Sequence, residues 1–397
     1  MHGACPCRVA RASSVASDHV AEDSFSLLAT SELGKRFGLR PRLRPATHEA
    51  MRIAGYLLVT WIAPMVLASI QPERPGTIAF MDDFETHLRS FVAIPLLLYA
   101  EKMVDPEVRF IVRALASPRR CVRPDELRAR VRALQPLVRH PLVGVALFGL
   151  AFLLVPAWIR QHTSGRETWI FRTDGAQPVP TAAGTWEAYV VVPLYMFLLL
   201  RWLWRWIVLA LVFFRSAPLL RPIVSHGDRC GGFSFVSRAP ARFACVIAGA
   251  SCLVSARLLF AAVREDASAQ TVANQALGVL FLSVVVAFFP LLAFAFRFGR
   301  FKRLGLRRYR AVVEGHARNV EREWHRRPYP GHVSSEESSS LADLNSVYEA
   351  VRSMRIVPLR KSDLVIVALA ALAPMLPALS SSASIDKLLL QVLRAML

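Results

Sequence analysis

QALGVLFLSVVVAFFPLLAFAF at 275–296 carries no charged residue, and RFGRFKRLGLRRYR at 297–310 follows it at once with seven arginines and lysines and no acid. About 20 apolar residues are what a helix needs to cross the roughly 30 Å of hydrocarbon in a bilayer. Lys and Arg collect on the cytoplasmic side of such spans. The stretch therefore reads as a membrane-crossing helix that emerges on the cytoplasmic side.

Working outward, six further apolar runs have the same character: 53–70, 89–104, 141–159, 188–207, 243–263 and 364–380. A mean hydropathy of +0.37 and 54% apolar residues agree with several spans. The connections alternate. Lys35, Arg36, Arg40, Arg42, Arg44 and Arg52 precede the first run, whereas Asp82, Asp83 and Glu85 offset Arg74 and Arg89 in the next connection. The third is crowded with arginine from Arg109 to Arg139. Residues 160–187 balance three basic against three acidic side chains, and 215–242 carry Arg215, Arg221, Arg229, Arg238 and Arg242 against Asp228 alone. The expected fold is all-α, a polytopic transmembrane bundle of about seven spans with amphipathic cytoplasmic helices. Its N-terminus would be cytoplasmic and its C-terminus periplasmic. The second run is short: either Arg89 and Lys102 snorkel outward from the ends of a full span, or the segment is re-entrant.

The net charge of +20 is spread over every inside loop. Positive-inside sorting and anionic headgroups account for it, so the bilayer is the expected partner and nucleic acid is not. Residues 1–50 read as a disordered basic tail, 51–296 as the first six spans with cytoplasmic helices at 105–135, 297–362 as a cytoplasmic helical hairpin, and 363–397 as the last span plus an amphipathic helix at 384–397. Cys5, Cys7, Cys121 and Cys230 fall on the reducing side and Cys245 and Cys252 within a span, so no disulfide framework is expected. His2, Cys5 and Cys7 lack a second ligand pair, and no cofactor or metal is implied.

The inside loops have their own signals. Asp105, Pro106 and Glu107 form a helix start running to about Ala116, before Ser117 and Pro118. Pro124 to Leu134 repeats the device, with Leu127, Val131 and Leu134 on one face. Tyr309, Val313, His316, Val320 and Trp324 predict a helix over 303–326. After a Pro-, Gly- and Ser-rich break at 328–340, Ser340 and Asp343 read as a capping box. Leu341, Leu344, Tyr348, Val351 and Met354 then line a second helix that Pro358 ends. This hairpin is the expected place for a protein partner.

Charges inside spans raise a functional question by default. Arg201 and Arg205 lie one helical turn apart among Trp202, Trp204 and Trp206. In one reading the span ends near Trp206 with a tryptophan belt and snorkelling arginines, and 207–219 continues along the surface. In the other, Glu101 and Arg201 pair at matching depth, each about 18 Å along its helix. Arg257 reads as a snorkelling residue. Proline recurs in six of the seven spans, and FVAIPLLLYAE, YVVVPLYMFLLLR and VVVAFFPLLAFAFR share a grammar that suggests repeated helical hairpins.

The most distinctive loop string is His226-Gly227-Asp228-Arg229-Cys230-Gly231-Gly232-Phe233-Ser234-Phe235. Paired glycines permit an anion-binding nest of backbone N–H groups beside Arg229, with His226 or Asp228 acting on the bound group. Alternatively it is a tight turn whose Asp228 caps the next element while Gly231 and Gly232 pack on the bundle. A metal site from His226, Asp228 and Cys230 has no further ligands nearby.

This string, with RSFVAIPLLLYAE at 89–101, FLLLRWLWRW at 197–206 and SLADLNSVYEAVRSMRIVP at 340–358, resembles an uncharacterised family of multi-pass bacterial inner-membrane proteins with an HPDRAGGLGFL-like motif. Here the motif is HGDRCGGFSFV. Gly227, Cys230, Phe233 and Ser234 depart from the pattern, and loss of the proline at 227 loosens the turn. The resemblance implies location in the inner membrane and brings no activity.

Three function classes follow, in order: a transporter- or channel-like bundle, with Glu101 and Arg201 facing a polar cavity; a membrane scaffold or signalling partner acting through the hairpin; and an intramembrane enzyme. No HExxH, nucleophile elbow or P-loop supports the last.

Overall fold

Proline shapes the long helices. In the computed structural model, which describes residues 45–70, 78–163, 168–174, 177–264, 268–326 and 335–381, α1 runs over Pro45–Leu57, widens to a π turn at Leu58–Ile62 and resumes at Ala63–Ser69. Pro64 has no N–H, and its ring collides with an α-helical carbonyl behind it. The wider turn relieves that clash, and the Ala63 N–H reaches Leu58 O. The same device precedes Pro95 in α2 (Phe84–Leu88, π turn Arg89–Ala93, Ile94–Leu115) and Pro193 in α5 (Ala182–Trp186, π turn Glu187–Val191, Val192–Ser216).

The remaining elements are α3 (Pro124–Arg139), α4 (Pro141–His162), β1 (Phe171–Asp174), β2 (Gln177–Pro180), α6 (Arg238–Arg264), α7 (Ala269–Phe288), α8 (Ala295–Arg326), α9 (Ser335–Arg352) and α10 (Lys361–Leu372). A 3₁₀ turn at Phe289–Phe294 joins α7 to α8 without a loop, and another at Ala373–Met375 follows α10, around Pro374.

Lipid offers no hydrogen bonds, so carbonyls freed by proline need partners from the protein. Ser90 Oγ donates to Thr60 O at 3.1 Å and Trp186 Nε1 to Val59 O at 3.0 Å, both behind Pro64. Trp206 Nε1 donates to Val286 O, four residues before Pro290, and Trp204 Nε1 to Leu137 O, four before Pro141, each at 2.8 Å. Trp202 and Trp206 are buried, and the Trp206 ring stacks on Phe243. A tryptophan belt at the membrane surface is therefore not their role.

Nor does 207–219 run along a surface. α5 continues unbroken to Ser216, burying Val208, Leu209, Val212 and Phe213 against the Phe289–Phe294 turn and α3. α6 occupies the centre, with α2 on one side and α10 on another, while α4 lies against α5. Gly249 of α6 permits this closeness, since a Cβ there would stand 3.2 Å from Ala93 O.

Among the described residues, six helical stretches are long and apolar enough to cross a membrane: 50–69, 141–162, 182–219, 234–263, 269–322 and 361–380. The chain is thus an all-α polytopic helix bundle. α2 is too charged to join the six by composition, yet it lies antiparallel to α1 from Arg52–Glu101 to the edge contact of Trp61 with Phe91. Large apolar side chains face outward, Leu153 at 76% and Phe281 at 72% exposure among them. Such surface suits lipid rather than water.

Several local expectations are corrected. Asp105 and Pro106 start no new helix, because α2 passes through them. Asp105 is buried and pairs with Arg109 one turn on, at 2.5 Å. Ser340 does not open the second helix: α9 already starts at Ser335, and Ser340 Oγ meets His316 Nε2 at 3.0 Å. Met354 lies past the end of α9, buried in the core, and Lys302 Nζ donates to its carbonyl. The connection at 160–187 holds a β-hairpin, with Phe171 paired to Pro180. Of the tail expected over 1–50, residues 45–50 already belong to α1, and of the break expected over 328–340, residues 335–340 belong to α9; the remainder of both and the helix expected at 384–397 lie outside the described residues.

Candidate functional site

α2 and α5 run parallel and meet at two charged levels. Twelve residues separate Arg89 from Glu101, about 18 Å along a helix.

At the first level Glu101, on α2, faces three guanidinium groups. Arg205 Nη1 donates to its Oε1 at 3.0 Å, Arg52 Nη1 to its Oε2 at 3.2 Å, and Arg201 Nη2 stands 4.0 Å away. The pairing expected with Arg201 therefore falls mainly to Arg205. One turn apart, the two arginines share a face, but only Arg205 is buried, at 3% side-chain exposure against 32%. Its guanidinium also packs on Trp202, whose Nε1 donates to Leu97 O at 2.8 Å. One carboxylate answers three cations here.

The second level was not foreseen. Arg89 does not snorkel outward, and Glu187 is not a loop charge. Arg89 is 2% exposed and its Nη2 donates to Glu187 Oε1, with Glu187 fully buried. A free arginine chain would reach for water, but Thr86 Oγ1 at 3.2 Å and Glu85 Oε1 at 3.6 Å complete a protein-made setting for it. Each residue opens the π turn of its helix. RSFVAIP at 89–95 and EAYVVVP at 187–193 place opposite charges six residues before a proline, and superposing these strings is the signal that reveals the pair.

Against Arg89, but not Glu187, lies a cavity of about 60 Å³, lined by Asp83, Phe84, Glu85, Arg89, Trp158, His162, Trp169, Arg257 and Phe260, with Ile78, Thr168, Ile170 and Ala256. His162 Nε2 stands 3.2 Å from Glu85 Oε2, its Nδ1 lies 2.8 Å from Trp158 O, and its ring stacks on the Trp158 indole. Asp83 accepts from Trp169 Nε1 at 3.0 Å and from Thr86 Oγ1 at 2.8 Å. Arg257, expected to snorkel, forms part of this wall with its guanidinium over Phe260.

The His226–Phe235 loop lies at the other end of the bundle, where the connections are basic. Its backbone N–H groups converge, but on an anion the chain itself supplies. Asp228 accepts from Cys230 N at 2.8 Å, Gly232 N at 2.9 Å and Ser234 N at 3.1 Å. The nest is filled, which overturns the reading in which an external anion occupies it. Burial alone would raise the Asp228 carboxyl; the three backbone donors and nearby His226 outweigh that and hold it below the ordinary value. Burial pushes the Cys230 thiol up, away from thiolate chemistry.

The same loop fastens its neighbours. Arg229 takes a left-handed φ of 54° and its carbonyl accepts from Arg355 N at 2.7 Å; Arg360 Nη2 donates to Ser234 Oγ at 3.2 Å. Gly231, at φ 66°, has room for nothing larger, since a Cβ would stand 2.8 Å from Pro222 Cβ. Phe233 is fully buried, and Arg120 packs on Phe235. No family model, curated protein or solved structure matches the chain.

Proposed function

We propose that this protein is a transporter-like helix bundle of the bacterial inner membrane, basic end toward the cytoplasm, with its solute site beside the Arg89–Glu187 pair. The observation that carries the reading is that pair: an arginine and a glutamate buried on facing π turns of membrane helices, with the arginine lining a cavity. Desolvating such charges costs several kcal/mol per ion, and intramembrane charges mark solute or ion paths far more often than they serve stability. π turns in helices also gather at functional sites. The sequence-based choice of Glu101 and Arg201 as the cavity-facing residues gives way to Arg89 at the opposite level of α2. Glu101 then acts as the anchor of the cytoplasmic side. The basic helices α3 and α8 lie against anionic headgroups in this reading.

The test uses protein reconstituted in phosphatidylethanolamine–phosphatidylglycerol vesicles. Re-swelling after osmotic shock is followed by light scattering with acetate, phosphate, glycine, glycerol and tetramethylammonium in turn. Faster re-swelling than in protein-free vesicles for at least one solute, lost in Glu187→Gln, supports transport. Rates equal to those of protein-free vesicles for every solute refute it.

A scaffold role is the second reading. α8 is about 48 Å long at 1.5 Å per residue, packs along α9, and leaves Leu304 and Val312 exposed. Deleting 300–357 would then abolish a protein contact and leave membrane insertion intact.

A further inference from the structure

Resting on the solute site just described, we infer that the cavity takes a small carboxylate. The argument turns on which polar atoms lining it are already engaged. Both oxygens of Asp83 accept hydrogen bonds, from Glu85 N at 3.0 Å on Oδ1 and from Trp169 Nε1 and Thr86 Oγ1 on Oδ2. Glu85 is held between His162 and Arg89. Both carboxylates of the wall already face donors, and the unpartnered Glu187 Oε2 belongs to a residue outside the lining, which disfavours a cation or an ammonium group as the occupant.

The donors are not all spoken for. Trp158 Nε1 and Arg89 Nε are buried and find no acceptor among the described residues. Trp158 is only 7% exposed and Arg89 2%, and both line the cavity. A buried N–H left without a partner costs about 1–3 kcal/mol, so these two donors call for an acceptor to enter. A charged N–H donor favours an oxyanion as its acceptor. Arg257 adds a second positive charge to the wall. Phe84, Trp158, Trp169 and Phe260 supply apolar and aromatic surface for a short hydrocarbon part. The small space suits a short-chain acid and not a nucleotide or a sugar phosphate.

The test is equilibrium binding to the full-length protein in detergent at constant ionic strength, read by thermal unfolding and by tryptophan fluorescence. Sodium acetate and sodium butyrate are titrated against sodium chloride, with tetramethylammonium chloride as the cationic probe. The expected result is a saturable response to the carboxylates, weakened at least tenfold in Trp158→Phe, which keeps an aromatic ring toward His162 and removes the N–H donor. Trp204→Phe, whose indole donates to Leu137 O far from the cavity, should bind as the parent does. A response to chloride equal to that of the carboxylates, saturation by tetramethylammonium alone, or undiminished binding in a folded Trp158→Phe overturns the assignment. Carboxylate binding without vesicle flux leaves this site standing and removes the transport reading. Flux of a different solute without carboxylate binding does the reverse.

Discussion

Replacing Glu101 by glutamine keeps the side-chain size and removes the one carboxylate among three guanidinium groups. Arg52 and Arg201, at 38% and 32% side-chain exposure, can turn to water or headgroups. Arg205, at 3%, cannot. Removing one partner of a buried pair costs about 3–5 kcal/mol, and the 15% exposure of Glu101 places this case near the lower bound. Arg205→Met should cost less, about 2 kcal/mol, because Glu101 keeps Arg52 at 3.2 Å. The double variant leaves no buried charge alone, and a loss of about 2 kcal/mol is expected for it rather than the sum near 5. The coupling of about 3 kcal/mol corresponds to a factor of over a hundred in the folded-to-unfolded ratio. Reversible SDS unfolding in mixed micelles, followed by tryptophan fluorescence, measures all four corners of the cycle. Additivity within about 0.5 kcal/mol would show that Arg205 does not depend on Glu101 and would refute the pairing.

Gly231→Ala forces a side chain into a left-handed φ against Pro222 and should destabilise the basic end by more than about 1 kcal/mol, whereas Gly227→Ala meets nothing within 4 Å and should be neutral; protease cutting of the 222–237 loop distinguishes them. Because the Asp228 carboxyl titrates lower in the folded chain than in the unfolded one, its contribution is fully present above the ordinary aspartate range and fades as pH falls through it toward the lowered folded value. Asp228→Asn should flatten that acid limb in unfolding curves taken between about pH 2 and 5. Trp206→Phe keeps the stack on Phe243 but orphans Val286 O, for about 1 kcal/mol in a membrane setting. Pro290→Ala, which restores a backbone N–H, should recover part of that loss when the two are combined, and an additive double variant would show that the indole bond is unimportant.

The bundle was legible because lipid imposes long uncharged runs that few other environments require. Leu127, Val131 and Leu134 could likewise be picked out, since helical spacing puts them on one face, and all three are buried. The charged levels were harder. Arg89 sits where an apolar run begins, so local reading makes it a boundary residue; its burial depends on Glu187, 98 positions away, and on α1 and α4 closing over both. The tryptophans of α5 misled for a similar reason. Interfacial and buried indoles look alike in sequence, and only the prolines at 141 and 290, on other helices, say which carbonyls lack a donor. In the His226–Phe235 loop the glycines and the need for positive φ were visible. That the convergent N–H groups serve Asp228 was not, because sequence does not reveal which acceptor arrives first.

These contacts divide the bundle into parts that can and cannot move cheaply. α2 and α5 are fastened at both levels, by Arg89 with Glu187 near one end and by Arg205 with Glu101 and Trp202 with Leu97 near the other. α1 is tied to both through Ser90 and Trp186 at its π turn. α6 is held against α2 by the close approach at Gly249. Sliding α1, α2 or α5 past another would expose a freed carbonyl or separate a buried ion pair, each in a medium that offers no replacement partner. α4 has no such fastening to them. Apart from the His162–Glu85 contact and the Trp204–Leu137 bond just before it, its surface is apolar and largely turned outward. Trp158 and His162, which form one wall of the cavity, ride on α4. A tilt of α4 about its Pro141 end would therefore move that wall and break the His162–Glu85 contact while leaving the fastenings among the other four helices intact.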